Sequence, residues 1–224
     1  MKKLILLSAL LIFACSYGQG EQLYADGTAT DQDGNSFEWI SYGSQDWAIE
    51  NAEVVTYRDG TLIPQVTADT EWANLTTGAW CYYNNDPSKG KLYNWYAVAG
   101  IHDNEDTTPN KEFAPQGWHV PSDAEWSILV EFLISNGYNY DGTTTGNKIA
   151  KSMASTTGWF SYTRIGTPGD NQSTNNSSGF NAYPKGFFQN GFSGLESSAV
   201  FWSTTDYSSR DAYFFDIASS REYV

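Results

Sequence analysis

Histidine and cysteine are nearly absent, with two of each in 224 residues. His102 and His119 are far from Cys15 and Cys81, and no Cys/His spacing of a metal site exists. Two cysteines this far apart, one of them inside an N-terminal leader, predict no internal disulfide. A Gly-x-Ser-x-Gly nucleophile elbow and a phosphate-cradling glycine loop are also missing, which removes two common enzyme classes. Cations are few: 12 Lys+Arg stand against 26 Asp+Glu, a net charge of −14. A surface that acidic repels phosphate backbones, so nucleic acid and anionic membrane are excluded as partners. Long apolar runs are lacking too. Leu4 to Phe13 is the one marked run, and it is too short to span a bilayer.

That run has another use. Met1-Lys2-Lys3 is a basic start, residues 4–13 an apolar middle and Ser16-Tyr17-Gly18 a small-x-small end, so residues 1–18 read as a signal peptide cleaved before Gln19. Ile12-Phe13-Ala14-Cys15 is a loose lipobox and keeps a rival open, lipidation at Cys15 and a membrane-anchored lipoprotein. Both readings place the mature protein outside the cytoplasm, secreted or on the cell surface. Without Lys2 and Lys3 the balance is 10 cations to 26 carboxylates, or −16. Aromatic residues make up 16% of the chain, including 9 Trp and 15 Tyr, which implies a packed domain and excludes a disordered one.

The most informative stretch is Gly117-Trp118-His119-Val120-Pro121-Ser122-Asp123-Ala124-Glu125-Trp126. Trp118 to Val120 reads as a short strand, because proline biases its predecessor toward extended backbone. Ser122 and Glu125 form a capping box, and the acidic first turn suits the helix dipole. Trp126, Leu129, Val130 and Leu133 then follow one helical face, widened by Ile128, Phe132 and Ile134. The spacing predicts a helix over 122–135, packed on more than one side and closed by Asn136-Gly137. Trp118, Trp126 and Trp202 are expected in the core, and His119 to be structural.

This stretch resembles the signature of the Fibrobacter succinogenes major paralogous domain, a family of bacterial cell-envelope proteins. Further matching blocks are Gln45-Asp46-Trp47-Ala48-Ile49-Glu50-Asn51, Thr56-Tyr57-Arg58-Asp59-Gly60 and Trp72-Ala73-Asn74-Leu75-Thr76-Thr77-Gly78-Ala79-Trp80-Cys81. Leu92-Tyr93-Asn94-Trp95-Tyr96-Ala97-Val98, Ser178-Gly179-Phe180-Asn181-Ala182 and Phe201-Trp202-Ser203-Thr204-Thr205 complete the set, in the family's order. The resemblance extends more weakly to C-type-lectin-like folds, including the formylglycine-generating-enzyme type. It implies an α+β, C-type-lectin-like fold of short antiparallel strands and long loops around the helix at 122–135. The family's cysteine before the signature is replaced by Ala114-Pro115-Gln116, and its closing C-terminal strand with a second cysteine is not found before Val224. The implied domain is 37–224 without that strand. The calcium-lectin triplets and the late catalytic cysteines of the formylglycine type are absent, so neither calcium-dependent sugar binding nor that activity is implied.

Elsewhere the residues give local readings. Residues 19–36 are polar and read as a leader, with Asp31-Gln32-Asp33-Gly34-Asn35 a tight turn rather than a calcium loop. Residues 57–61 form another Asp-Gly turn, 78–83 a buried strand and 84–90 a loop. Residues 92–98 fit a helical turn or a strand. Asp103, Glu105 and Asp106 form a solvated acidic turn rather than a metal site. Residues 148–153 fit either element, and 166–178 read as an exposed, mobile loop. Tyr213, Phe215 and Ile217 are expected on one face of a late strand.

The expected function is a non-catalytic, exported recognition or adhesion module, binding an extracellular glycan or surface protein through aromatic side chains. The candidates are Trp159, Tyr162, Phe187 and Phe192, in the loops after the helix. No cofactor and no metal is expected. The alternatives are an envelope enzyme acting on glycans with two carboxylates in a cleft, and a purely structural domain.

Overall fold

The computed structural model describes residues 25–105, 107–189, 191–207 and 212–224. The signal peptide, Cys15, the first part of the leader and Asp106 lie outside the described residues. Three strands open the fold: β1 (Gly27–Thr30), β2 (Ser36–Tyr42) and β3 (Gln45–Ala48), antiparallel in that order. The leader at 19–36 was expected outside the domain, yet 27–36 are part of it. The reason is the turn at 31–35. The Asp31 carboxylate accepts the Asp33 and Asn35 amides, both at 2.9 Å. Asp33 then accepts the amides of Val55 (2.6 Å) and Thr56 (3.1 Å), clamping the hairpin to the following segment.

Short elements follow: α1 (Asp69–Trp72), then β4 (Trp80–Tyr82) paired with β5 (Lys91–Tyr93), then α2 (Trp95–Val98). Residues 92–98 are therefore both the end of a strand and a helical turn. Asn94 makes the junction, its side-chain oxygen accepting from Ala79 and Ala97 amides at 3.0 and 2.9 Å. Two 3-10 turns tighten the loop at 84–90.

The predicted helix is α3 (Asp123–Ser135), with both arms of the capping box formed and Asn136 at its end. It buries Trp126, Leu129 and Leu133, while Ile128 is 47% exposed, so the helix packs along one face only. Trp118 to Val120 is not a strand. Arg58 donates to the carbonyls of Ala114, Pro115 and Trp118 at 2.7, 3.0 and 2.9 Å, so a guanidinium rather than a neighbouring strand holds this segment. The chain closes with α4 (Ala150–Met153) and two hairpins, β6 (Lys185–Phe188) with β7 (Phe192–Leu195) and β8 (Ser198–Asp206) with β9 (Ala212–Ala218). All four sheets are small and antiparallel, and the fold is α+β.

The main core joins β2, β3, α3, α4 and the β8–β9 hairpin. Trp126 is its centre: its ring stacks on Phe215 at 4.2 Å and meets Trp47 at 4.6 Å and Phe201 at 5.7 Å. A second cluster gathers Val54, Tyr57, Trp80, Val98, Phe113 and Val120. Trp118 is buried in a third, smaller cluster with Ala114, against Phe37 and Trp39. Trp202 is only half-buried. On β8 the side chains alternate, so Phe201 and Ser203 face inward and Trp202 faces the second cluster instead. Phe215 and Ile217 are buried as expected, but Tyr213 is 41% exposed, beyond the register shift between Trp202 and Asp206.

The loop at 166–178 is the largest departure. Residues 166–169, Asn175 and Ser178 are buried. Lys151 of α4, itself 8% exposed, is the partner of Asn175 and of the carbonyls beside it, while Ser178 bonds the Ser152 carbonyl. The Lys151 ammonium donates to Asn175 Oδ1 (2.8 Å), to the Asn171 carbonyl (3.2 Å) and to the Asp170 carbonyl. Asn175 Nδ2 donates onward to the carbonyls of Ser155 (2.9 Å) and Pro168 (3.0 Å). The polar residues that suggested exposure satisfy one another internally.

Candidate functional site

Over the second cluster lies a cleft with a cavity volume of about 300 Å³. Its walls are aromatic. Trp72 ends α1, Tyr93 ends β5, Trp95 and Tyr96 open α2, Phe187 and Phe188 come from β6, and Trp202 comes from β8. All seven are half-buried and line the cleft. Local chemistry fixes them. Trp202 Nε1 donates to the Tyr93 carbonyl at 2.8 Å, tying β8 to β5. Tyr93 donates its hydroxyl to the carbonyls of Ala52 (3.2 Å) and Val54 (2.8 Å), and burial pushes that phenol well above its ordinary pKa, with Glu53 the next contributor. The Trp72 ring meets Phe188 edge-on at 5.7 Å. Trp95 Nε1 is buried without an acceptor.

The cleft runs into a second, more polar groove of about 430 Å³, edged by Asp31, Asn35, Glu50 and Glu53. Asn51, Tyr183 and Lys185 line both spaces. Their side chains make no hydrogen bond to any described residue, so they are available to a ligand. Asn94, by contrast, is fully committed, capping α2 at Ala97 and bonding Ala79 and Thr77.

A wider concavity of about 920 Å³ surrounds the signature, between Arg58, His119, Glu125 and Asp206. Several of its polar groups are engaged structurally. His119 Nε2 lies 2.9 Å from Glu125 Oε1, and the other Glu125 oxygen accepts the Ser122 amide (2.9 Å) and hydroxyl (2.8 Å). Burial pushes the Glu125 carboxyl up, but the bonds from Ser122 and His119 outweigh it, and its pKa is lowered. The histidine does have a sequence partner, six residues on. Pro121 and Asp123 join this unit to β8, through Thr204 N to the Pro121 carbonyl (2.9 Å) and the Asp123 amide to Thr205 Oγ1 (3.0 Å). Among the described residues no group of three or more His, Cys, Asp or Glu side chains could hold a metal ion.

The four aromatic residues expected at a site do not come together. Trp159 is a correction: it is 4% exposed, packed in the main core with its Nε1 donating to Ser155 Oγ at 3.1 Å. Tyr162 is 44% exposed and does not line the cleft. Phe192 packs behind the wall, against Phe188 and Tyr83, both at 5.0 Å. Phe187 alone lines the cleft. Sequence reasoning missed Asn51, Trp72, Trp95, Tyr96, Tyr183 and Lys185. A usable signal was the family blocks themselves, because those at 72–81, 92–98 and 201–205 supply Trp72, Tyr93, Trp95, Tyr96 and Trp202.

No helix among the described residues is long and apolar enough to cross a membrane. No curated protein and no solved structure matches the chain. The profile of the Fibrobacter succinogenes major domain matches residues 40–223. With that match over most of its length, the chain belongs to the Fibrobacter succinogenes major domain family.

Proposed function

We propose that this protein is a non-catalytic recognition module, exported to the cell surface or secreted, that binds glycans in the aromatic cleft. One observation carries the reading: three separate family blocks supply half-buried aromatic residues to the walls of a single cleft. Indole and phenol faces stack on the apolar faces of sugars, and such contacts tolerate variation in hydroxyl pattern. Uncommitted Asn51, Tyr183 and Lys185 side chains supply the few polar contacts that orient a ligand in a mostly apolar site. A relationship to C-type-lectin-like folds is part of the same reading, supported by the small antiparallel sheets and the long loop folded against α4. Export by cleavage before Gln19 rests on the leader sequence.

The test is a glycan array on the chain beginning at Gln19, with and without calcium, followed by titration of intrinsic tryptophan fluorescence. Binding of neutral oligosaccharides that Trp72→Ala weakens about tenfold is the expected result, the loss of one stacking face. Trp72 sits on a short surface helix with no buried residues, so its removal spares the core. Failure to bind any glycan would refute the reading.

A further inference from the structure

We infer that the ligand carries one carboxylate, seated at Lys185 between the aromatic cleft and the polar groove, with neutral units on either side. The inference rests on the glycan reading and specifies it: an oligosaccharide containing a single hexuronic acid.

Cations are scarce in this chain, and most described ones are engaged. Lys91 pairs with Glu53 at 2.6 Å, Lys111 with Asp59 at 2.5 Å, Lys148 with Asp141 at 2.5 Å and Arg164 with Glu222 at 3.1 Å. Lys151 is enclosed by oxygens. Among the described residues Lys185 has no carboxylate within 4 Å, and its ammonium lies 5.7 Å from the Tyr183 ring. Its backbone is fixed by pairing with Leu195 across the β6–β7 hairpin. Lys185 and the uncommitted amide of Asn51 therefore both line the place where the two spaces meet.

The surroundings limit how much negative charge is accepted. Glu50, Glu53 and Asp31 edge the polar groove, and the protein as a whole carries −14. Asp31 is spent on its turn and Glu50 accepts the Glu38 amide at 3.3 Å, but both remain anionic neighbours. A polyanion would be repelled along the groove and across the surface. A lone carboxylate would meet Lys185 and Asn51, with a neutral sugar stacked on the rings and another among the polar edge groups. Trp95 and Trp202, half-buried in the wall, favour a sugar over an extended acidic peptide at this place, because indole rings offer flat apolar surface to pyranose faces.

The experiment titrates the chain from Gln19 with three probes: a neutral xylo-oligosaccharide, the same oligosaccharide bearing one glucuronic acid, and polygalacturonate. The singly acidic probe is expected to bind about tenfold tighter than the neutral one, as one charge-assisted contact provides. Lys185→Met, which keeps the stem, should erase that preference, so that the acidic and neutral probes bind alike. Lys89→Met makes the same change of net charge and should leave the preference unaltered. Equal affinity for acidic and neutral probes, tightest binding by the polyanion, or a preference that survives Lys185→Met would overturn the inference while leaving the glycan reading standing. Binding of none of the three, together with no hit on the glycan array, would overturn both.

Discussion

Replacing Lys151 by Met isolates what an ammonium does inside a folded loop. The stem is retained and the charge removed. Four oxygens face Lys151 Nζ, but they do not lose equally. The Asn171 carbonyl also accepts the Thr174 amide at 3.0 Å, and the Thr167 carbonyl accepts the Asp170 amide at 3.1 Å. The Asp170 carbonyl and Asn175 Oδ1 are left bare, and Asn175 cannot swing away because Nδ2 is held by two carbonyls. Each stripped oxygen costs about 1–3 kcal/mol. Against this, burial pushes the lysine pKa down, with Asp170 partly offsetting it, so the variant also sheds a desolvation cost. The net expectation is a loss of about 2–4 kcal/mol, or roughly 10 °C in Tm for a domain of this size. Urea unfolding by tryptophan fluorescence measures the first, and hydrogen exchange over 166–178 measures whether that loop loosens before the rest. A variant as stable as the parent, with unchanged loop protection, would show that the ammonium gains nothing from its oxygens.

Other outcomes follow from single groups. The folded Glu125 carboxyl has a lowered pKa, so the unfolded chain binds the proton more readily, and stability from this group is present above about pH 4.3 and fades as pH falls through the folded value. Urea midpoints between pH 6 and 3 should therefore fall less steeply for Glu125→Gln than for the parent, and parallel curves would contradict the assignment. Burial pushes the Cys81 thiol up to about 12, so in the chain from Gln19 it should resist a thiol reagent until denaturant is added; rapid labelling of the native protein would count against its burial. Gly186 has φ +72° and a Cβ there would lie 2.5 Å from the Ser193 carbonyl, so Gly186→Ala should splay the β6–β7 hairpin and weaken ligand binding more than global stability. Circular dichroism melting alongside the glycan titration separates those two effects.

What the sequence made legible was local. Ser122, Glu125 and the spacing of Trp126, Leu129 and Leu133 specify α3 within fourteen residues, because capping and periodicity act over a few bonds. The turns at 31–35 and 57–61 were legible for the same reason. The loop at 166–178 was misread because Asn, Thr and Gly are equally suited to water and to an internal cation, and its partner Lys151 precedes it by more than a dozen residues. Trp159 was misplaced by the same reasoning, since a loop-flanking position says nothing of which core lies beneath it. The cleft could not be read from spacing at all. Its walls come from α1, β5, α2, β6 and β8, brought together only by tertiary contacts such as Trp202 to Tyr93.

The signature and the cleft are nonetheless mechanically joined. The cap of α3 bonds β8 at Thr204 and Thr205, while Trp202, two and three positions earlier on that strand, faces the cleft. Between them Ser203 is buried and its hydroxyl accepts the Thr205 amide at 3.0 Å, so the bulged end of β8 has little freedom to slide. Trp126, the first large residue inside the same cap, stacks on Phe215 and reaches Phe201, immediately before Trp202. The Trp-His-Val-Pro-Ser run thus helps to hold one aromatic wall in place, and of its residues Val120 itself lines the cleft. Within the motif the Ser122, His119 and Glu125 side chains bond one another, while the Pro121 carbonyl and the Asp123 amide hold β8, the strand that carries half-buried Trp202 at the cleft.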